Sequence, residues 1–370
     1  MAQARAGDRL WPFLLSQKLR VRLLALAMLL AVVYFFHRIG VARSSKAPDR
    51  KYGLPQNEID VFASHAINNT VVIVPVNTGM MHLVENMICS LTTTRFDPSS
   101  IVFWALDKGA KLALDRKGLA SYRDPSLYST SGNSNRHGNT EQYHRMMRER
   151  PKFFLDVLSS GYDMLIVDAD TVFWQSPLLL VPSEADKKMV DIVYSTDARE
   201  FYTEHDAFHD ERRRGALMPP ICNGLFWMKS NKNTVALWTE MLGVFEAPWW
   251  IQGIYRARFF QDDQRGIDVM LNDGRAKVVG PLPEGITKDK LPAADKAVLN
   301  VRLLDQTAVV NGQLLMFRAK TYQDKLDQLR AAGKDRIAAH MNWDTSVITK
   351  EDGARKKNIY FLDDDGKCRA

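Results

Sequence analysis

The sequence predicts one α/β domain built on a mixed, mostly parallel sheet with helices on both faces. Two observations predict it. Uncharged apolar runs such as 71–76 and 164–167 have the length of buried strands, and they alternate with segments whose apolar residues recur at helical spacing. Strands without a polar face are typical of parallel sheets that are covered on both sides. A chain of 370 residues is long enough for one large domain with its own core.

The first element is an N-terminal apolar segment. Residues 23–36 carry no charge, and five Lys or Arg residues precede them. Basic residues stay on the cytosolic side of a membrane, so the pattern predicts a cytosolic tail over 1–22, a transmembrane signal anchor over 23–42 and a lumenal remainder. The run is shorter than the roughly 20 residues that span a bilayer, so a cleaved signal peptide and a soluble N-terminal helix stay open as alternatives. The polar residues 43–69 are a predicted stem.

Charge and cysteine content limit the classes of function that the sequence supports. The net charge of +7 comes from residues 1–50, which hold nine Lys or Arg residues and two Asp residues. The remaining chain carries 41 basic and 41 acidic side chains, which argues against a nucleic-acid partner. The cysteines Cys89, Cys222 and Cys368 fit no disulfide framework and no metal-ligand spacing, although one pair could form in an oxidising lumen. Asn68 opens an Asn-Asn-Thr triplet and is a predicted N-glycosylation acceptor.

The main domain is predicted over 70–350, with a C-terminal tail over 351–370. Apolar residues at helical spacing predict the first helix of this domain. A second helix is predicted to open at Pro151 and to close at Gly161, because proline favours the first helical position and glycine the position after the last. The predicted strands are 70–77, 100–107, 164–168, 191–196, 222–229, 276–282 and 312–317, and the predicted helices are 80–92 and 152–161.

Three acids fall where predicted strands end: Asp107, Asp168 and Asp170. In open α/β sheets, ligands bind outside the carboxyl ends of the strands. Along an extended strand, Asp168 and Asp170 would point the same way about 6.6 Å apart, whereas a hard cation holds its oxygen ligands at roughly 2.0–2.6 Å. We therefore expect Asp170 to bind Mg²⁺ or Mn²⁺ directly, and Asp168 to act through water or on a sugar hydroxyl unless the chain bends after it. Such an ion keeps positions open for phosphates, which predicts a nucleotide substrate.

Other readings of the two acids stay open. Both could simply cap the turn that follows the strand, although ionised acids behind a buried strand need a partner. The segment "LIVDADTV" also fits the nucleophile motif of haloacid-dehalogenase-like phosphatases. Those enzymes usually place this strand first in the domain and need a later G-D-x-x-x-D cluster, and the sequence shows neither. A catalytically inactive lumenal scaffold that keeps only the fold is a third hypothesis.

Several segments together resemble a known family. They are "VVIVPVN", "ALD" at 104–107, "GYDMLIVDADTVFWQSPL", "CNGLFWMK", "DDQRGIDVML" and the late "HMNW". With them, the span 70–345 resembles the nucleotide-diphospho-sugar transferase domain of glycosyltransferase family 77. The resemblance implies a Rossmann-like GT-A fold, a divalent cation (Mn²⁺ or Mg²⁺), a nucleotide-sugar donor, and transfer to a glycan or glycoprotein hydroxyl with retention at the anomeric carbon. Together with the anchor, it implies a single-pass type II protein of the Golgi membrane with a lumenal catalytic domain.

The resemblance also implies roles for individual residues. Asp168 and Asp170 match the metal and donor motif, and His340 matches a late histidine that completes the metal ligands. A neutral imidazole beside two carboxylates suits Mn²⁺. Lys152 matches a basic residue near the diphosphate. The helix that it opens should begin at the same sheet edge as Asp168, where a cation would offset the charge of the leaving group.

The remaining matches concern the donor and the reacting carbon. Asn223 and Gly224 match a bend where the backbone approaches the sugar. Asp263 and Gln264 match a catalytic Asp-Gln pair, and the adjacent Asp262 leaves open which carboxylate faces the site. A retaining reaction could use a side-chain nucleophile or same-face attack. The residues matching nucleotide-contacting positions are Asn77, Thr78 and Asp107.

Overall fold

A large mixed sheet forms the centre of the molecule. The computed structural model describes residues 22–32, 52–124, 140–204, 218–247, 262–342 and 347–369. Eight strands build the large sheet and three short strands build a second one. In chain order the strands are β1 (Thr70–Val76), β2 (Ile101–Ala105), β3 (Ser121–Tyr122), β4 (Asp163–Val167), β5 (Thr171–Phe173), β6 (Ile192–Thr196), β7 (Ile221–Met228), β8 (Ala276–Val278), β9 (Leu299–Leu303), β10 (Val309–Asn311) and β11 (Ala338–His340).

The strand order in the large sheet is β3-β2-β1-β4-β7-β6-β9-β8. All its neighbouring pairs are parallel except the two that β7 makes with β4 and β6, so the predicted mixed, mostly parallel sheet is confirmed. Leu225 of β7 lies opposite Val167 of β4. Because β7 runs against its neighbours, its first residues lie at the same edge of the sheet as the carboxyl end of β4.

The second sheet, with the order β10-β11-β5, lies beside this edge. Strand β5 follows β4 after a short turn and pairs antiparallel with β11, so that His340 lies opposite Thr171. This pairing brings a residue from late in the chain next to the turn between β4 and β5. The second sheet therefore supplies a side chain to the edge of the first.

Helices cover both faces of the large sheet, as predicted. In β1, Val71 and Ile73 pack into one apolar cluster, whereas Val72 and Val74 pack into another on the opposite face. The described helices are α1 (22–32), α2 (Gln56–His65), α3 (Met81–Thr92), α4 (Lys108–Arg116), α5 (Thr140–Ser159), α6 (Lys232–Glu246), α7 (Asp263–Met270), α8 (Gly312–Phe317), α9 (Ala319–Ala331) and α10 (Val347–Lys356).

Two predicted elements are wrong in type or extent. The segment 312–317 is helix α8, not a strand, because the Asn311 side chain caps it by accepting a hydrogen bond from the Leu314 backbone N–H. The helix expected to open at Pro151 begins at Thr140, and Pro151 lies inside it. The first half of this helix is mostly polar in sequence and shows no apolar period, whereas its second half carries most of the buried apolar residues.

Residues on both sides of the predicted domain 70–350 pack against it. Residues 52–69, set apart as stem, include α2, whose Phe62 is fully buried in the main core. Residues 351–369, set apart as a tail, continue α10 and then place Ile359 and Leu362 in the apolar cluster beside the second sheet. A disulfide between Cys89 of α3 and Cys368 fixes this C-terminal segment, with 5.2 Å between the two Cα atoms.

The N-terminal segment is described only over α1. Its side chains, among them Leu24, Met28 and Leu30, are exposed. Within the described ranges, no helix combines the length and the apolar character that crossing a membrane requires. Residues 1–21 and 33–51 lie outside the described residues. They include all of the predicted cytosolic tail except residue 22, and the second half of the predicted anchor.

Candidate functional site

The turn after β4 brings two carboxylates to the sheet edge. The Thr171 backbone N–H donates to the Asp168 carbonyl at 3.0 Å, which closes a tight turn directly after Asp168. The chain therefore bends at the point that decides whether both acids can reach one ion. Asp170 is 2% exposed and Asp168 is 31% exposed, so one carboxylate is buried while the other faces the opening of the site.

His340 joins the two acids from the second sheet. Its Nε2 atom lies 3.2 Å from Asp170 Oδ1 and 3.6 Å from Asp168 Oδ2. One donor atom from each of the three side chains lies within 4.8 Å of the others. Two carboxylate oxygens and one imidazole nitrogen form a donor set that suits Mn²⁺ or Mg²⁺, so these residues fit the expected divalent cation.

Gly224 of β7 makes room for this cluster. A Cβ atom at this position would lie 2.3 Å from Asp168 Oδ2 and 2.4 Å from His340 Cε1, far inside van der Waals contact. The Gly224 carbonyl also accepts a hydrogen bond from the Asp168 N–H at 2.6 Å. The glycine therefore lets β7 approach both side chains, which is a more local role than the sugar contact expected from the sequence.

A lysine that the sequence analysis missed completes the charge balance. The Lys350 ammonium, from α10, contacts Asp170 Oδ2. Burial alone would raise the pKa of the Asp170 carboxyl, but Lys350 and His340 hold it well below its usual range. Burial alone would lower the pKa of the His340 imidazole, but Cys222 and Asp170 raise it well above its usual range. The Asp170 carboxylate thus keeps its charge in the interior because positive groups contact it.

Asp263 and Arg150 form a second buried group on the other side of β7. Asp263 is fully buried, and its Oδ2 lies 3.4 Å from Arg150 Nε and accepts from Asn223 Nδ2 at 3.3 Å. Burial raises the pKa of Asp263 to about 6, against the opposing effect of Arg150 and with a contribution from Asp262. Its Oδ1 atom has no hydrogen-bond partner among the described residues. The neighbouring Asp262 caps α7 through the Arg265 N–H instead, so Asp263 is the carboxylate that faces inward.

Gln264 lies beside this pair and fixes the backbone of β7. Its Oε1 accepts from the Asn223 N–H at 3.1 Å, and its Nε2 donates to Asp197 at 3.1 Å. Asn223 is 1% exposed, and its Oδ1 has no partner among the described side chains and backbone groups. Two buried acceptor oxygens, one on Asp263 and one on Asn223, thus have no donor among the described residues.

The predicted nucleotide-contacting residues meet at the ends of β1 and β2. Asp107 caps α4 by accepting from the Ala110 N–H, and it also accepts from the Thr78 N–H at 2.9 Å and the Thr78 hydroxyl at 2.5 Å. Asn77 precedes Thr78 and is buried. The structure brings these three together, but most of the Asp107 carboxylate is engaged within the protein.

Lys152 is placed differently from the expectation. Its ammonium pairs with Glu246 at the end of α6 at 3.4 Å, because the helix does not begin at Pro151. Two residues earlier, Arg150 is 7% exposed and donates to the Asn223 carbonyl at 2.7 Å. The guanidinium of Arg150 is thus the α5 cation that contacts the buried group. An apolar residue four positions later, Phe154, could have indicated that Arg150 lies on the inward helix face.

Asn68 lies in the turn before β1. Asn68 and Asn69 are exposed and have positive φ angles of 48° and 63°, a conformation that asparagine tolerates better than most residues. The Asn68 backbone carbonyl accepts a hydrogen bond from the Lys187 ammonium at 2.6 Å. The predicted acceptor side chain is therefore at the surface.

A family model described as nucleotide-diphospho-sugar transferase matches residues 98–353. This span includes both acids of the turn after β4, the pair at the start of α7, and His340.

Individual proteins are similar over most of the chain. UDP-D-xylose:L-fucose alpha-1,3-D-xylosyltransferase 1 of Arabidopsis thaliana is 23% identical over 279 residues, which cover 72% of this chain and 73% of that protein. Mouse xyloside xylosyltransferase 1 in its apo form aligns with 75% of this chain and 99% of its own, at 12% identity and a TM-score of 0.40. Galactosyltransferase LgtC, in complex with donor and acceptor sugar analogues, aligns with 78% of this chain and 94% of its own, at 11% identity and a TM-score of 0.41.

Proposed function

The chain belongs to the nucleotide-diphospho-sugar transferase family of glycosyltransferases, and we propose on this premise that its transfer reaction requires a divalent cation and retains the anomeric configuration. The observation that carries the proposal is the convergence of Asp168, Asp170 and His340, whose donor atoms lie within 4.8 Å of one another. The family assignment leaves no support for the phosphatase alternative. A GT-A fold belongs to the same proposal, and the placement of the acids at the carboxyl end of β4 supports it.

The three side chains would hold Mn²⁺ or Mg²⁺ at the open end of β4. Such an ion, when bound, offsets negative charge on the diphosphate of the donor as it leaves. Lys350 contacts Asp170, and in this proposal it would be a second cation on the diphosphate side of the site. Lys152 stays in the proposal as a more distant basic residue, and Thr78, Asn77 and Asp107 as the nucleotide side of the site.

The sugar would lie against Asp263 and Asn223. Each has one buried acceptor oxygen without a partner among the described residues, and sugar hydroxyls are donors that can satisfy such atoms. The other Asp263 oxygen is held by Arg150 and Asn223. A carboxyl held in this way orients hydroxyls, which favours same-face attack by the acceptor over a covalent intermediate on Asp263.

UDP-xylose is the first donor to test, and a sugar hydroxyl of a glycan or glycoprotein is the first acceptor. The support is the name of the Arabidopsis thaliana relative, a xylosyltransferase that uses UDP-D-xylose. Xylose lacks the hydroxymethyl group of hexoses. Comparing UDP-xylose with UDP-glucose and UDP-galactose therefore tests whether the site accommodates that group.

The proposed location is the Golgi lumen, with the chain anchored as a single-pass type II membrane protein. The disulfide between Cys89 and Cys368 supports an oxidising compartment. The exposed Asn68 side chain and the exposed apolar residues of α1 support the same location. The predicted glycan on Asn68 is part of this proposal.

The testing experiment measures thermal unfolding of the purified full chain with each nucleotide sugar, in the presence and absence of Mn²⁺. A ligand that binds only the folded state stabilises it and so raises the unfolding temperature. At a hundredfold excess of ligand over the dissociation constant, the free energy of unfolding rises by about 2.7 kcal/mol. We expect one donor to stabilise the protein in a Mn²⁺-dependent manner. Asp170→Asn should abolish that stabilisation.

A matched control lies at the other end of the same strand. Asp163 is also a buried carboxylate of β4, and it pairs with Lys187 far from the proposed ion. Asp163→Asn should lower the stability of the free protein but keep the donor-dependent increase. No increase with any donor in folded protein would contradict the proposal, and binding without transfer or hydrolysis would favour the inactive scaffold. The anomeric configuration of the product, read by NMR, tests retention.

A further inference from the structure

Cys222 is a buried thiol in direct contact with a proposed metal ligand. It lies in β7, is 2% exposed, and is the described cysteine that takes no part in a disulfide. Its Sγ atom is 3.2 Å from Nδ1 of His340. The other ring nitrogen of His340, Nε2, faces Asp170 at 3.2 Å. The imidazole thus lies between the thiol and the carboxylates, with one nitrogen toward each.

Asn342 directs a second polar group at the sulfur of Cys222. Its Oδ1 accepts from the Gly312 N–H at 2.8 Å, which fixes the orientation of the amide. The Nδ2 group then donates to Asp197 at 2.6 Å and lies 3.7 Å from Cys222 Sγ. An amide N–H that points at sulfur makes the sulfur an acceptor in that contact. Where Nε2 of a neutral imidazole binds an ion through its lone pair, Nδ1 carries the ring proton and is the donor toward the sulfur.

We propose that Cys222 is a positioning residue of the metal site: its sulfur accepts the Nδ1–H of His340 and so keeps the lone pair of Nε2 directed at the ion. The inference rests on the proposed function, since it concerns the same three ligands. Metal-bound histidines generally donate their second N–H to a carboxylate, a carbonyl or a water. Here a thiol, which is a weak acceptor, holds that position, and both Cys222 and His340 are buried.

The same contacts connect the ion to the sugar side of the site. Asn342 joins Cys222 to Asp197, and Asp197 accepts from Gln264, which in turn holds the Asn223 backbone. A substitution at Cys222 would therefore alter the contact with His340 most directly, and the contact with Asn342 next. The ring orientation, and with it the affinity for the ion, is the property that depends most directly on the sulfur.

The test compares Cys222→Ala with Cys222→Ser in the full chain. Binding of Mn²⁺ without donor or acceptor is measured from the electron paramagnetic resonance signal of the free ion. Loss of such a partner weakens metal binding by about 10–100-fold, and we expect this in Cys222→Ala. Cys222→Ser keeps an acceptor and should bind close to the unmodified chain. At saturating Mn²⁺, the kcat of Cys222→Ala should recover, so the defect lies in the metal requirement.

A spectroscopic measurement separates positioning from a general loss of packing. In Mg²⁺-loaded protein with ¹⁵N-labelled histidine, His340 should show a protonated Nδ1 in the unmodified chain and in Cys222→Ser. Cys222→Ala should lose this single tautomer.

Ser195→Ala is the matched control, because it removes another buried hydrogen bond from the same sheet, the one that Ser195 donates to the Leu225 carbonyl at 2.9 Å. It should leave Mn²⁺ affinity unchanged. Equal Mn²⁺ affinity in Cys222→Ala and the unmodified chain would overturn the inference. If the unmodified chain and Asp170→Asn both fail to bind Mn²⁺, the proposed function itself is wrong.

Discussion

Asp262 and Asp263 show how adjacent identical residues acquire different roles. Asp262 caps α7 at its first turn, where its carboxylate accepts from the Arg265 N–H. Asp263 is the first residue of the helix and points into the protein, where it is fully buried beside Arg150. The cap fixes the start of the helix, and the start of the helix decides which of the two carboxylates is buried.

The raised pKa of Asp263 predicts a pH-dependent stability. With a pKa of about 6 in the folded state and about 3.9 when unfolded, the folded protein binds more protons between these values. The stabilisation from protonated Asp263 is complete below about pH 4 and is lost as the pH rises through about 6. The asparagine side chain of the Asp263→Asn variant does not titrate, so this variant lacks that pH dependence. The stability of the unmodified chain relative to this variant should therefore fall by about 2 kcal/mol between pH 4 and pH 7.

Denaturant unfolding at several pH values measures this difference. Asp262→Asn removes the neighbouring carboxylate without emptying the buried position, so it should keep most of the pH slope of the unmodified chain. Parallel stability curves for the unmodified chain and Asp263→Asn across this range would show that Asp263 does not carry the slope.

At the scale of elements, β7 organises the site. It runs against its neighbours, and its first residues carry Cys222, Asn223 and Gly224 between the two groups of functional side chains. Cys222 contacts His340 on one side, and Asn223 contacts Asp263 on the other. One short stretch of backbone therefore sets the separation of the proposed ion from the proposed sugar position.

Gly224→Ala is expected to damage the site more than the fold. The added Cβ would lie 2.3 Å from Asp168 Oδ2, and the side chain of Asp168, which is 31% exposed, can move outward. We expect Mn²⁺ affinity to fall by at least tenfold, in the range found when the support of a metal ligand is lost, while cooperative unfolding persists. Calorimetric Mn²⁺ titration together with thermal unfolding measures both. Unchanged Mn²⁺ affinity would mean that the cluster does not need the close approach of β7.

The sequence predicts the elements with strong local patterns and misses those set by distant contacts. Strands β1 and β4 are recognisable because they are buried on both faces and carry uninterrupted apolar runs. The start of α5 was missed because helix 140–159 is polar in its first half, and a proline in its middle reads as a beginning. Strand β11 has three residues, too few for any period, so the position of His340 could be inferred only from a family resemblance.

At the site too, the residues that the sequence predicts have a strong local pattern, and those that it misses depend on distant contacts. Asp168 and Asp170 follow a buried strand, and that position alone predicts them as site residues. Arg150 and Lys350 reach the site from helices whose inward faces depend on tertiary packing. No local pattern distinguishes Lys350 from a solvated lysine, and for Arg150 the local signal is limited to the apolar Phe154 four positions later.

At the scale of the whole molecule, one covalent bond connects the two ends of the described domain. Cys89 and Cys368 are 279 residues apart in sequence. The C-terminal segment that this bond fixes packs beside the second sheet and follows α10, which carries Lys350. The bond therefore stabilises the side of the molecule that supplies His340 and Lys350.

Reduction of this disulfide should destabilise the protein by about 2–5 kcal/mol, the usual cost of removing a native disulfide. Thermal unfolding with and without a reductant measures the change, and the double variant Cys89→Ala/Cys368→Ala should not respond to reductant. In protein taken from the cells that make it, alkylation under denaturing conditions without reductant should label Cys222 alone. Labelling of Cys89 and Cys368 as well would contradict the proposed lumenal location.

The spacing of the three cysteines also constrains the order of events during biosynthesis. Cys222 leaves the ribosome before Cys368, so the first thiol that a newly made Cys89 can meet is not its final partner. Once β7 is inserted between β4 and β6, Cys222 is buried and can no longer be attacked by another thiol. Assembly of the sheet before Cys368 is made would therefore shield Cys222 from Cys89 and favour the pair seen in the structure.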